Sequence, residues 1–238
     1  MAQALVTGAT SGIGRAIAIA LHNTGHQVMA LGRNAHALAD LSALGLQTRQ
    51  IDLTDPSGLV DLADLAPDIL VNNAGMMPPL GNFCDADPAD IDHAINTNLR
   101  AVLSLTRAIA PGMRTRAHGH IFFTGSTAGH APFANLAVYC ATKAAIGGFA
   151  QALRLDMAPH GVRVTEIVAG RVETGLYNAL LPAEARAAMY ADNAAVQPED
   201  VAAMLLAVLA LPQSVDVARF DILPTYQGVA TGTSKKEA

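Results

Sequence analysis

The sequence predicts an α/β fold: an open, doubly wound, parallel sheet of about seven strands with helices on both faces. Three observations carry this. Short apolar runs alternate with longer helical patterns along the whole chain, and strands separated by helices pair in parallel through right-handed crossovers. A glycine-rich turn joins the first strand to the first helix. Half of the 238 residues are hydrophobic, only 15% are charged, and tryptophan is absent. The core must then be built from Ala, Val, Leu and Ile, which suits helices packed closely on a sheet. No linker, repeat or low-complexity block interrupts the pattern. Residues 1–238 are expected to form a single dinucleotide-binding and catalytic domain, with about 231–238 a frayed polar tail.

The elements follow in order. "ALVT" (Ala4–Thr7) is a strand, followed by the glycine turn and a helix from about Ile13 to Thr24. "QVMALG" is the second strand and "AHALADLSAL" a helix. "LQTRQI" is the third strand and "DPSGLVDLADL" a short helix. "DILVNNAG" holds the fourth strand and its loop. A long helix covers about Pro88–Ala110. "HIFFTGS" is the fifth strand, and the helix after it carries Tyr139 and Lys143. "RVTEIVAG" is the sixth strand. An irregular region and a helix near Pro198–Leu211 precede "ARFDILP", the seventh. In such sheets ligands bind outside the carboxyl ends of the strands. The loops after Thr7, Leu31, Ile51, Val71, Phe123 and Val168 therefore form one rim.

Charge and composition narrow the class. A net charge of −5 argues against an electrostatic nucleic-acid binder. The two cysteines, Cys84 and Cys140, form neither a zinc spacing nor a disulfide framework. A reducing, cytoplasmic setting is the default expectation. The N-terminus runs straight into "ALVTGAT" with no secretory pattern, and the longest apolar run, "VAAMLLAVLAL", is too short to span a bilayer. No metal site and no membrane partner are expected.

"TGATSGIG" (Thr7–Gly14) has the chemistry of a pyrophosphate cradle. Gly8 permits a tight turn, Gly12 lets backbone approach a pyrophosphate on the helix N-terminus, and Gly14 allows close helix–sheet packing. Gly8, Thr10, Ser11, Gly12, Ile13 and Gly14 are candidate cofactor contacts. The spacing is Gly-x-x-x-Gly-x-Gly rather than Gly-x-Gly-x-x-Gly. At the end of the second strand, "ALGRN" places Arg33 where an NAD-binding carboxylate would stand. A guanidinium holds a 2′-phosphate and a carboxylate repels it. NADP(H) is therefore expected in preference to NAD(H), which remains possible. Asp52, ending "RQID", comes too late for the ribose. It either accepts a hydrogen bond from the adenine amino group or caps the next helix.

Tyr139 and Lys143 stand four residues apart, just over one helical turn, and share a face. Ser126 ends the fifth strand thirteen residues before Tyr139, and the Gly, Pro and Asn residues between them let the chain fold back. A tyrosine has an ordinary pKa near 10, about three units too high for a base at neutral pH. Lys143, with an oxidised nicotinamide, is expected to favour the phenolate. Tyr139 then exchanges a proton with a substrate hydroxyl or carbonyl held by Ser126.

"TGATSGIG", "NNAG" (Asn72–Gly75), Ser126 and "YCATK" together resemble the short-chain dehydrogenase/reductase family over essentially the whole chain. The resemblance implies a Rossmann-like fold and an NADP-preferring oxidoreductase that interconverts an alcohol and a ketone or aldehyde. It implies that Lys143 also binds the nicotinamide ribose and that Asn98 completes a proton relay to it. It implies that Asn72 and Gly75 brace the central strand beside the cofactor. Val172 and Thr174 are implied to contact the nicotinamide carboxamide. Dimers or tetramers paired through two long helices are implied as well. The chain departs from the family pattern at Ala169, where proline is usual. The C-terminal third is similar to the branch of 3-hydroxy acid dehydrogenases and sulfoacetaldehyde reductases.

Two rival readings are a 3-oxoacyl-thioester reductase and a non-catalytic NAD(P)-binding regulator. The Ser126, Tyr139, Lys143 and Asn98 set argues against the regulator. Cys140 reads as packing, His130 as a solvated or core-edge histidine, and Arg171 as either a surface ion pair or a ligand for a substrate acid. "LYNALLPAEARAAMYADN" (Leu176–Asn193) is expected to cover the pocket, with Leu176, Tyr177, Leu180 and Leu181 as an apolar lid.

Overall fold

Seven strands form one parallel sheet in the order β3-β2-β1-β4-β5-β6-β7. They are β1 (Gln3–Thr7), β2 (Gln27–Gly32), β3 (Gln47–Gln50), β4 (Ile69–Asn72), β5 (Gly119–Thr124), β6 (Val162–Ala169) and β7 (Arg219–Ile222). The computed structural model describes residues 1–191 and 194–226. The tail expected to fray and the last two residues of the expected lid lie outside the described residues.

Strand alternation sorts the core into two layers. Val6, Val71 and Phe122 face one side with Ile17 and Leu21 of α1 (Gly12–Asn23) and Leu205 of α7 (Pro198–Leu209). Leu5, Leu70, Ile121 and Phe123 face the other with Leu105, Ile109 and Met113 of α4 (Ala101–Arg116) and Ile146 of α5 (Ala137–Met157). β4, β5 and β6 are buried along their whole length, as central parallel strands must be. β1 lies between β2 and β4, so the strand order reverses there and opens a crevice at the carboxyl ends.

Local chemistry fixes the helix starts. The Asn34 side chain caps α2 (Ala35–Ala43), accepting from Ala37 N at 3.1 Å. Asp87 caps α3 (Pro88–Ile95), and Pro88 stands in its first turn, where a missing N–H costs nothing. Gln197 and Asp200 form a capping box on α7.

The structure corrects four expectations. The long helix does not stop at Ala110: α4 runs through Pro111 to Arg116. A proline can sit in a helix when packing holds the turns around it, and Ile109, Ala110 and Met113 are buried there. Between α3 and α4 the backbone makes a π turn, Asn96–Arg100. Pro56–Leu65 is a run of 3-10 turns rather than an α-helix. The region expected to be irregular contains α6, Ala183–Tyr190. Among the described residues no helix is long and apolar enough to cross a membrane.

Candidate active site

The turn between β1 and α1 is built by glycines and a threonine. Gly8 and Gly12 adopt left-handed φ values of 62° and 51°, which only glycine takes without cost. A Cβ on Gly14 would overlap the Gly8 carbonyl oxygen, so this glycine lets the helix lie against the turn. Thr7 Oγ1 donates to Val71 O and accepts from Asn73 N at 2.9 Å and Ala74 N at 3.0 Å, tying the turn to the loop after β4. Asn73 adds a bond to Thr7 O and accepts from Thr124 Oγ1, so three strand ends are joined. Ser11 is the N-cap of α1, yet its side chain makes no cap hydrogen bond. The N–H groups of the first turn are thus not taken by a cap, and the helix end retains its attraction for an anion. A cleft of about 520 Å³ lies beside this turn, lined among others by Gly12, Arg15, Thr174, Arg186 and Tyr190. These features fit a dinucleotide pyrophosphate.

Arg33 follows β2 with its side chain 64% exposed, and its guanidinium stands 4.0 Å from Asp52. Gln50 donates to the Arg33 carbonyl. Asp52 Oδ1 accepts from both Thr54 N and Thr54 Oγ1, at 2.9 and 2.7 Å. Those two bonds, more than Arg33, hold its pKa below the ordinary carboxylate value. Asp52 thus caps its own turn at Thr54 rather than the helical run that begins at Pro56, the cap expected from the sequence. Its Oδ2 faces Arg33.

On the other side of the crevice, Ser126 ends the extended segment after β5 and accepts from Ala128 N at 3.2 Å. Its hydroxyl stands close enough to the Tyr139 oxygen to lower the phenol's pKa. Tyr139 and Lys143 lie in the first two turns of α5, both nearly inaccessible to water at 7% exposure each. Lys143 Nζ donates to Thr124 O at 2.7 Å and stands 5.8 Å from the Tyr139 ring centroid. Asn98 occupies the π turn. Its amide exchanges two 2.8 Å hydrogen bonds with the Met76 backbone and reaches Thr142 Oγ1 at 3.3 Å. The π turn is thus where a helix gives up its regular ladder to aim one side chain at the "NNAG" loop, as such bulges often do at functional sites. A Cβ on Gly75 would stand 3.4 Å from Asn98 Oδ1 and 3.8 Å from Lys143 Nζ, so Gly75 lies against both side chains. Asn72 Nδ2 donates to Thr106 Oγ1.

Burial sets the electrostatics. It pushes the Tyr139 phenol up to about 12, opposed by the nearby Ser126 hydroxyl and reinforced by Tyr177 and Cys140. It pulls the Lys143 ammonium down to about 8, opposed by the charge of Glu166. The expectation that Lys143 favours the phenolate is therefore not met in the protein alone. Desolvation dominates, and the ammonium is directed to the Thr124 carbonyl.

Beyond these residues, Thr174 caps a 3-10 turn, accepts at its carbonyl from Tyr190 Oη at 3.3 Å, and would touch a Cβ on Gly12 at 3.0 Å. Val172 is buried and pairs with Val196. Ala169 completes β6, and Gly170 N still donates to Ile222 O, so the loop leaves the sheet in an anchored state without proline. Of the four residues expected to form an apolar lid, Tyr177 and Leu180 pack on the cluster of Met77, Ala128, Tyr139 and Cys140, whereas Leu181 is not part of it and Leu176 is exposed. Arg171 forms no ion pair among the described residues and donates to Met189 O at 3.2 Å. The sequence reading missed Glu166. An acidic residue inside an otherwise apolar central strand was the signal.

The family model for short chain dehydrogenases matches residues 2–185. The chain belongs to the short-chain dehydrogenase family. It is accordingly an oxidoreductase acting on CH–OH groups. An uncharacterized short-chain type dehydrogenase/reductase, y4eK of Sinorhizobium fredii, is 46% identical over 98% of this chain and 95% of its own length. The NADP-dependent 3-hydroxy acid dehydrogenase YdfG of Escherichia coli is 37% identical over 95% of this chain and 96% of its own. Among solved structures, the closed form of a serine dehydrogenase complexed with NADP+ superposes with a TM-score of 0.91 at 34% identity, covering 96% of this chain and 97% of that one.

Proposed function

We propose that this short-chain dehydrogenase prefers NADP(H) and interconverts an alcohol and a ketone or aldehyde, with Tyr139 as the acid/base and residues 1–238 acting as one unit. The observation that carries the reading is the buried Tyr139 phenol, with the Ser126 hydroxyl close enough to lower its pKa and Lys143 Nζ 5.8 Å from its ring centroid, one helical turn away. The glycine turn from Gly8 to Gly14, with Thr10, Ser11 and Ile13, would hold the pyrophosphate. Arg33 would hold the 2′-phosphate. Asn72, Gly75, Val172 and Thr174 would surround the nicotinamide end. Bound there, the cofactor donates or accepts the hydride.

The protein's own groups move the proton. In reduction, Ser126 orients the substrate oxygen and Tyr139 gives its proton to it as the carbonyl carbon is reduced. The phenolate left behind is stabilised by the Lys143 ammonium, and a proton returns through Lys143 along a route that Asn98 borders. With its pKa at about 12, Tyr139 is a proton donor throughout the neutral range. Lys143, at about 8, is mostly charged at pH 7. The resting site is therefore ready for reduction. Oxidation needs the phenolate, so its rate should rise with pH while reduction stays flat up to the lysine's titration.

Relatives named for 3-hydroxy acids and serine suggest where to begin an assay: short 3-oxo acids with NADPH, then the corresponding hydroxy acids with NADP. Tyr139→Phe keeps the ring packed and deletes the proton. Turnover should fall by at least about 10²–10⁴-fold, the range for general acid–base catalysis, with cofactor affinity and thermal midpoint nearly unchanged. Retention of a tenth of wild-type turnover would remove Tyr139 from the mechanism.

A further inference from the structure

Glu166 is a carboxylate inside the sheet. It sits mid-β6, only 1% exposed, on the face that meets α5. Two glycines make room for it: a Cβ on Gly125 would overlap its Oε1, and a Cβ on Gly147 would stand 3.1 and 3.3 Å from its two oxygens. Gly147 lies one turn beyond Lys143 on α5, so carboxylate and ammonium share one buried seam. Oε1 pairs with His130 Nε2 at 3.0 Å. Oε2 is buried with no hydrogen-bond partner among the described residues. His130 is on the loop just past Ser126, its side chain 30% exposed.

A buried acid with an open oxygen is costly as a structural strut, because an apolar residue would fill the same space without desolvating a charge. Among the described residues, the other groups around Lys143 offer no anion. Tyr139 of its own helix is a neutral phenol, β5 presents the Thr124 carbonyl, and the π turn presents the Asn98 amide. Arg219, the register neighbour of Glu166 on β7, is engaged with Asp221 at 2.9 Å. Among the described residues Glu166 is therefore the anion whose charge acts on Lys143 along that seam, and His130 is the group that holds it.

We infer that Glu166, anchored by His130, is a positioning residue of the proposed reaction: its charge keeps the buried Lys143 an ammonium, so that Lys143 can stabilise and reprotonate Tyr139. This rests on the acid/base reading of Tyr139 and deepens it. Without Glu166, burial alone would drive Lys143 further toward its neutral form, which neither stabilises a phenolate nor supplies a proton.

The sequence makes a direct test possible. It contains three lysines, and the other two, Lys235 and Lys236, are in the C-terminal tail. In the full chain labelled with 13Cε-lysine, the Lys143 signal can be titrated with no cofactor or substrate present. Glu166→Gln should lower its midpoint by about one pH unit or more, the effect of losing a near opposite charge. Glu166→Asp, drawn back by one methylene, should give a smaller fall, and it decides the matter where the Gln variant does not fold. The alkaline limb of kcat for carbonyl reduction should move down by the same amount. A Glu166 that only ties β6 to the Ser126 loop would lower the thermal midpoint and leave the Lys143 titration unmoved, which overturns the inference. A Lys143 titration that moves while the kcat limb stays overturns the positioning role too. The acid/base reading fails separately, on an active Tyr139→Phe, and leaves the NMR titration standing.

Discussion

The two ends of the β5–β6 pair bury a basic side chain each, with opposite results. At the amino end His120 is 2% exposed, stacked on Phe122 with centroids 3.9 Å apart. Its cross-strand neighbour in register is Arg163, a second cation. Burial, aided by Arg163, pulls the imidazole down to about 3, so it is neutral at every physiological pH. At the carboxyl end Lys143 is buried as well, but the nearby charge is Glu166, and its pKa stops at about 8. Burial alone makes a basic group inert. Burial beside an opposite charge leaves it within reach of neutral pH, where it can hold or release a proton.

The largest effects should come from exchanging roles across this divide. Lys143→Met should reduce turnover by at least about 10²-fold and weaken cofactor binding, since the lysine is expected to serve the ribose as well. His120→Leu should leave turnover within about twofold and lower stability by roughly 1–3 kcal/mol, the range for disturbing a buried hydrogen bond. That bond is to Thr165 Oγ1 at 2.8 Å. The Thr165 hydroxyl gives its proton to Val217 O, so the His120 Nε2 must be the donor to Thr165, and Nδ1 has no hydrogen-bond partner among the described residues. Measuring kcat and the urea midpoint on both variants checks the contrast. Loss of turnover in His120→Leu at intact stability would break it.

The next effect is acid sensitivity. The folded His120 has a pKa of about 3 against an ordinary 6.5. Above about pH 6.5 the imidazole is neutral in both states and contributes no slope. Between 6.5 and 3 the unfolded chain binds a proton that the folded chain refuses, so stability falls as pH falls, by a few kcal/mol in all, at about 1.4 kcal/mol per pH unit. His120→Leu should flatten this part of the stability-versus-pH curve. An unchanged slope would mean that His120 takes up its proton in the folded protein.

These contrasts also mark what the sequence could and could not reveal. The strands, their parallel pairing and the rim were legible because apolar runs and glycine turns are local signals. That Ser126, Tyr139 and Lys143 would come together was legible because they fell at helical and loop spacings. The extension of α4 past Pro111 was not, since local rules end a helix before proline and only packing against the sheet overrides them. The π turn at Asn98 depends on a grip on Met76, twenty-two residues back in the chain. The direction of the Tyr139 shift was not legible either, because it is set by how fully α5, Tyr177 and the Ser126 loop enclose the phenol. Glu166 was visible as an anomaly in an apolar strand, but its partner His130 comes from a different loop, and only the fold brings the two together.

The exposed pair Arg33 and Asp52 extends the comparison to a third environment, where effects should be smallest. Its charges are opposite, like Lys143 and Glu166, but the side chains are 64% and 49% exposed and 4.0 Å apart. Solvent and salt screen such a pair to roughly 0–1 kcal/mol. Asp52→Asn keeps the Oδ1 that caps Thr54 and removes only the charge, so stability should change by less than about 1 kcal/mol. Its effect on cofactor should be small and positive. With the carboxylate gone, Arg33 is released toward a 2′-phosphate and a repelling anion disappears, so NADPH should bind up to about fivefold more tightly and NADH about equally well. Arg33→Ala should act in the opposite sense and more strongly, weakening NADPH by roughly 1.5–3 kcal/mol, the range for a charge-assisted hydrogen bond, while sparing NADH. Dissociation constants for both cofactors on both variants, measured by calorimetry at fixed salt, separate the roles. If Asp52→Asn weakens NADPH and NADH alike, Asp52 reads the adenine amino group as well as capping its turn. An equal loss of both cofactors in Arg33→Ala would sink the 2′-phosphate assignment, because NADH has no phosphate there to lose.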